Sequence, residues 1–232
     1  MNRPQYLDER DCLALRENDV YERNETRYIK TILKPGMTVV DVGAHIGYYT
    51  TIAARIVGPA GRVHAFEPRP ENVAVLRQNA ALFGETVVVH EAAVSDLSGR
   101  GRLYLDADRN VDGRLAEMPG RESVVVDITT LDEALPDAVV DFLKSDAQGW
   151  DGHVLRGAER LLRRSPQIVG MIEFLPQFLK FAGDAPEDII AYLRDLGFKT
   201  YVVRGSRRTR FTPKLMPKMR IIKTLFFKRG AL

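Results

Sequence analysis

Short apolar runs alternate with segments of helical period along most of this chain. Thr38 to Val42 is apolar enough for a buried strand and breaks at Gly43. A helix-like segment, Ile46 to Val57, follows, and Gly58-Pro59 closes it. Arg62 to Glu67 reads as the next strand, stopped by Pro68. Between about Pro70 and Leu82, Val73, Leu76, Ala80 and Phe83 recur at helical spacing, which predicts one buried stripe ending at Gly84. Thr86 to His90, rich in β-branched residues, is the third strand. Val139 to Ser145 and Ile168 to Phe174 continue the series. Between them one helix carries Val154, Leu155, Ala158, Leu161 and Leu162 on its apolar face. Asp184-Ala185-Pro186-Glu187 predicts a helix start with an acidic cap, and Ile189, Ile190, Leu193 and Leu196 form its stripe. Lys199 to Val203 and Ile221 to Phe227 are the last strands, suited to antiparallel pairing, with a basic loop from Arg204 to Lys218. Units of this kind predict an α/β fold: a mostly parallel sheet of seven strands with helices on both faces.

Two stretches depart from the rhythm. Residues 1–35 are charged and only weakly periodic, except for a helix face of Tyr28, Ile29, Ile32 and Leu33. They read as an N-terminal helical cap on a main domain spanning 36–232. From Ser98 to Ile128, short strands (Leu103 to Leu105, Ser123 to Ile128) flank a polar loop, Asp106 to Gly120, that contains Asn110. This block predicts a small hairpin insertion beside the site, since long loops in compact domains are often functional. Thr130 to Leu135 is a short helical turn.

At 232 residues the chain suits one ordinary domain. A single cysteine, Cys12, excludes an intrachain disulfide and a cysteine-built zinc site. No signal segment or bilayer-length apolar run is evident, so a cytoplasmic protein is expected. Charge is uneven. Leu196 to the end holds eleven Lys or Arg and no acid, leaving 23 basic against 31 acidic residues before it, a net of −8. A basic end suits RNA, an anionic surface or an acidic substrate; equally, it neutralises the chain's own acidic body.

Strand, glycine turn and helix together expose backbone N–H groups and a helix N-terminus to a ligand. An acid on the next strand tip, Glu67, is the usual partner of a ribose diol. The turn reads Asp41-x-Gly43-x-x-x-Gly47, with Ala44 and His45 inside it. An acid two residues before the first glycine is a poor neighbour for a pyrophosphate and a good one for a cation. S-Adenosylmethionine, with an adenosine, an ammonium and a sulfonium, fits Asp41 and Glu67 better than NAD does. Ligands in open α/β sheets bind beyond the strand C-termini. That rim would gather Asp41, Gly43, His45, Glu67, Ser95, Asp96, Asp146, Gln148 and Glu173. A hydroxyl acceptor needs a base, for which Asp146, His153 and Glu173 are candidates. Lys144 shares a side-chain direction with Asp146 and reads as an ion-pair partner or a substrate guide. For His153 the plain alternative is a water-facing residue of a first helical turn. Asp146 and Asp151 have the chemistry to share a divalent ion, but solvated carboxylates at a helix start explain them as well, and no metal site is assigned.

Val39 to Thr50 resembles the first motif of the FkbM-type methyltransferases, and Phe66 to Asn72 resembles their second. Glu91 to Asp96 with Gly99, Thr130 to Glu133, Asp141 to Gly149 and Val154 to Ala158 resemble later blocks, and Thr224 to Lys228 the last strand. The likeness covers about residues 35 to 230. It implies a class I, Rossmann-like fold dependent on S-adenosyl-L-methionine, with O-methylation of sugars or secondary metabolites. By it, Asp41, Gly43 and Gly47 would line the methionine side, Glu67 the ribose, and Ser95 and Asp96 the adenine side. The family usually has Asn at His45, and a valine–glutamate pair at Ala147-Gln148. The leading expectation is an O-methyltransferase of a small hydroxylated acceptor such as a sugar or natural product. An RNA or protein methyltransferase using the basic end is the first alternative, although its basic loop offers a single stacking ring, Phe211. A non-catalytic cofactor-binding scaffold is the second. Basic and apolar residues from Met216 to Phe227 would also suit a membrane interface. The sequence does not set the oligomeric state; a homodimer is one arrangement it allows.

Overall fold

The computed structural model describes residues 4–8, 11–18, 20–106, 112–205, 207–212 and 223–230. Asn110, residues 213–222 and the very N-terminus therefore lie outside the described residues.

The central sheet follows the apolar runs closely. Its strands are β1 (Thr38–Val42), β2 (Arg62–Phe66), β3 (Val87–His90), β8 (Phe142–Ser145), β9 (Val169–Glu173), β10 (Lys199–Arg204), β11 (Arg207–Arg210) and β12 (Thr224–Lys228). The spatial order is β11-β10-β12-β9-β8-β1-β2-β3. Pairing is parallel from β9 through β8, β1 and β2 to β3, and antiparallel from β9 through β12 and β10 to β11. The sheet thus has eight strands rather than the expected seven. The extra one is Arg207–Arg210, whose four residues are all exposed. Its charged side chains give no apolar signal; only its pairing with β10 makes it a strand.

Alternation along the strands sorts the side chains onto two faces. Val40, Val42, Leu143, Ile172, Leu225 and Phe227 join one core with α5 (Asp151–Arg156), α6 (Glu159–Arg164) and α8 (Pro186–Asp195). Val39, Phe142, Met171, Tyr201 and Phe226 join the other with α1 (Arg23–Ile32) and α2 (Tyr48–Val57). α3 (Pro70–Ala81) follows β2. His64 on β2 and His90 on β3 meet at 3.1 Å between ring nitrogens, and Phe66 stacks on His90.

The expected insertion is a second sheet of order β4-β7-β5-β6. It comprises β4 (Ala93–Val94), β5 (Gly99–Leu105), β6 (Gly113–Arg114) and β7 (Ser123–Thr129), so the polar loop contributes a strand of its own. α4 (Leu131–Ala134) is capped by Thr130 as its sequence suggests.

Three expectations change. α2 begins at Tyr48, because the chain from Gly43 to Gly47 is still turning. The helix after Asp146 is two helices, broken at Gly157 and Ala158. The second, α6, is started by Asp132, whose carboxylate accepts the Arg160 and Leu161 N–H groups at 2.9 and 2.7 Å. Asp184 does not cap α8. The cap position is Ala185, while Asp184 pairs with Arg156 at 2.8 Å. α7 (Pro176–Phe181), which no sequence signal marked, packs against α8. Among the described residues, no helix is long and apolar enough to cross a membrane.

Candidate active site

A cavity of about 380 Å³ lies across the C-terminal tips of the parallel strands, within the range of small-molecule sites. Its floor is the turn after β1. Gly43 has φ +69, and a Cβ there would run into the Asp146 carbonyl oxygen. Only glycine lets the β1 and β8 tips approach this closely. The Gly43 and Ala44 N–H groups both donate to the Phe66 carbonyl at 3.0 Å, tying the turn to β2. Gly47, at φ +90, caps α2 where a Cβ would press on Leu76.

Asp41 lies beneath this floor rather than in the cavity. It is 1% exposed, accepts from Thr50 Oγ1 at 2.7 Å, and faces Lys144 Nζ at 3.1 Å. Lys144 also donates to the Gly43 carbonyl at 2.9 Å and so pins the turn. Burial alone would weaken its charge, but Asp41, Asp146 and Glu22 outweigh that and raise its pKa. Lys144 lines the cavity, and the ion pair, one of the two roles open to it, is formed.

Glu67 lines the cavity from the β2 tip. One carboxylate oxygen accepts the His45 N–H at 2.9 Å. The other accepts Arg69 N–H at 3.0 Å and Asn72 Nδ2 at 3.2 Å. His45 and Gln148 both line the cavity with left-handed backbones, φ 53 and 52.

Asp146 and Glu173 also line the cavity. Burial, then Asp146, Asp151 and Glu22, push the Glu173 carboxyl up to about 10, so it holds its proton at neutral pH. Its Oε2 is buried without a hydrogen-bond partner among the described residues. Asp151 is not solvated. It is fully buried, accepts from Ser145 Oγ at 2.6 Å, and its pKa is raised by burial and by Asp146. Among the described residues there is no cluster of three metal-capable side chains.

Ser95, Asp96 and His153 stand behind the cavity wall rather than in it. His153 Nδ1 lies 2.9 Å from Asp96 Oδ2, and its ring stacks on Trp150 at 4.0 Å. Trp150 Nε1 donates to Ser95 Oγ at 2.9 Å, and Ser95 Oγ donates to Asp96 at 3.0 Å. Burial would raise the Asp96 pKa, but His153 and Ser95 lower it. Together these groups hold the Trp150 ring at the cavity.

Several lining residues carried no usable signal in the sequence. Glu22 comes from the N-terminal segment and accepts from Tyr49 Oη at 2.7 Å. The Tyr21 N–H donates to Tyr48 Oη at 3.0 Å, which fastens that segment to α2. Arg114, from β6, lies 3.9 Å over the Phe178 ring and pairs with Asp112 at 2.7 Å. Apart from the Arg114–Asp112 pair, these contacts join residues 27 or more positions apart in sequence.

S-Adenosylmethionine fits these donors. Glu67 offers a carboxylate of the kind that suits a ribose diol, and Glu22 and Asp146 line the cavity as acids that suit a cation. Fold and site define a class I, S-adenosylmethionine-dependent methyltransferase. A family model described as the methyltransferase FkbM domain matches residues 41–200. The 31-O-demethyl-FK506 methyltransferase FkbM of Streptomyces tacrolimicus is 31% identical over 200 residues, covering 72% of this chain and 74% of that protein. The chain therefore belongs to the FkbM methyltransferase family. Two solved structures share the fold. Methyltransferase FkbM from Methylobacillus flagellatus KT gives a TM-score of 0.52 at 16% identity, over 87% of this chain and 50% of that one. A SAM-dependent O-methyltransferase from Thermotoga maritima gives 0.51 at 14%, over 92% and 67%. This chain thus spans half the length of the Methylobacillus protein.

Proposed function

We propose that this enzyme methylates a hydroxyl of a small molecule, a sugar or a secondary metabolite. The observation that carries the reading is the shape and lining of the cavity. It is bounded by Tyr49, Trp150 and Phe178, and the second sheet covers it with Arg114. The curated relative named for a demethylated FK506 supports a small-molecule acceptor. Bound cofactor supplies a methyl carbon already activated by its sulfonium. In this reading Glu67 holds the ribose, and the Gly43 turn gives close backbone approach. Asp146 accepts the hydroxyl proton, and Glu173, kept neutral by burial and by its acidic neighbours, donates a hydrogen bond to the acceptor oxygen. Asp41, Lys144 and Gly47 shape the turn from below; Ser95, Asp96 and His153 position Trp150. Residues 36–232 form the cofactor-binding domain. Residues 1–35 cap it, a reading supported by Leu13, Tyr21 and Glu22 in the cavity wall.

The exposed Arg207–Arg210 strand favours a second reading, a polymer acceptor such as RNA. Transfer of labelled methyl to a panel of sugars and hydroxylated natural products, with total RNA in parallel, separates the two. Label in a small hydroxylated compound is expected. Label in RNA alone would contradict the first reading.

A further inference from the structure

The sheet order gives the cavity a direction. Strand tips follow one another from β3 through β2, β1 and β8 to β9 and β12. Ala92 to Val94 line the β3 end and Glu67 the β2 tip; Glu173, Lys223 and Thr224 line the β9 and β12 end. With a ribose at Glu67, the charged part of the cofactor falls toward β1 and β8, and the acceptor toward β9 and β12.

Glu22 belongs to this middle stretch, although it comes from outside the sheet. The groups that face it come from four elements: Tyr49 on α2, Glu25 on α1, Lys144 and Asp146 on β8 and its tip, and Glu173 on β9. The one cation among them, Lys144, is already held by Asp41 at 3.1 Å. Among the described residues, Tyr49 Oη is the one hydrogen-bond donor to the Glu22 carboxylate, at 2.7 Å. The backbone of Glu22 is left-handed, φ 42 and ψ 66, a conformation uncommon for a residue with a side chain.

We propose that Glu22 makes this cavity distinguish the sulfonium cofactor from its neutral thioether product, by giving up its proton when the cation binds and recovering it when the product forms. The proposal rests on S-adenosylmethionine occupying the cavity as described above. Burial, then Asp146, push the Glu22 carboxyl up to about 7, so it is poised between its two states near neutral pH. A cation within about 4–6 Å lowers a carboxyl pKa by roughly 1–3 units, which would draw about 0.4 proton from such a group at pH 7. The same coupling, read as binding at pH 7, favours the cation over the thioether by at least about fivefold. Methyl transfer removes the sulfonium charge, so the preference disappears once the reaction is complete and the product is released.

The test needs no acceptor. Calorimetric titrations with S-adenosylmethionine and with S-adenosylhomocysteine, each in phosphate and in Tris at pH 7, count the protons released on binding. The wild type is expected to release about 0.4 proton with the first ligand and far less with the second. In Glu22→Gln both ligands still bind, the release vanishes, and the preference for the sulfonium falls at least about fivefold. Tyr49→Phe removes the bond that favours the Glu22 anion, so the wild-type rise of S-adenosylmethionine affinity with pH should move to higher pH. That variant serves if Glu22→Gln does not fold. Unchanged release and preference in Glu22→Gln, or release lost only in Glu173→Gln, would overturn the assignment. Failure of folded wild type to bind either ligand would overturn the cofactor reading and this proposal with it.

Discussion

Lys144 holds the glycine turn from below, and its contacts set what a single substitution there would do. Its ammonium is 3% exposed as a residue, bonded to the Gly43 carbonyl and paired with Asp41, which is itself buried. Removing one partner leaves the other charge buried and uncompensated, a loss of about 3–5 kcal/mol. Lys144→Met is therefore expected to lower unfolding free energy by that amount in urea denaturation. The double variant with Asp41→Asn should recover part of it. A loss under about 1 kcal/mol would show that the pair does not hold the turn. The placement of Asp41, Gly43 and Glu67 at the β1 and β2 tips was legible in the sequence, because glycine spacing and strand-tip acids follow from backbone geometry. The depth of Asp41 was not. Its distance from the cavity depends on a lysine 103 positions away, and no local pattern reports that pair.

At the scale of elements, strands β1, β2 and β10 lie close to where their apolar runs place them, because Gly and Pro bound those runs. Errors arose where a distant residue decides the local structure. Asp132 starts α6, and Arg156 takes Asp184 from its capping role. β11 exists because β10 offers it a partner. The β2–β3 pair yields a prediction about pH. Burial, then His90 and Arg62, lower the His64 pKa to about 4, and burial lowers that of His90. The unfolded chain protonates near 6.5 while the folded pair stays neutral. Its contribution is therefore complete above about 6.5 and is lost as pH falls toward 4. Urea midpoints measured from pH 7.5 down to 4.5 should decline, and His64→Gln should flatten that decline. An equal slope in both proteins would remove the histidine pair as its source.

The whole molecule divides its charge as its sequence suggested. Carboxylates gather at the cavity, and the exposed arginines of β11 lie beyond β10 at the far edge of the sheet from β3. That separation keeps the arginines from neutralising the acids that a cationic cofactor would meet. A row of charged side chains also guards an open strand edge against pairing with another chain. In our reading the cavity over the β1, β2 and β8 tips binds S-adenosylmethionine, with Glu67 on its ribose. Calorimetric titration with S-adenosylmethionine and with NAD, on the wild type and on Glu67→Ala, tests it most directly. Selective binding of S-adenosylmethionine is expected, weakened in Glu67→Ala by roughly 1.5–3 kcal/mol, about ten- to a hundredfold, for hydrogen bonds to a charged group. Binding of NAD instead, or equal S-adenosylmethionine affinity in a folded Glu67→Ala, would contradict it.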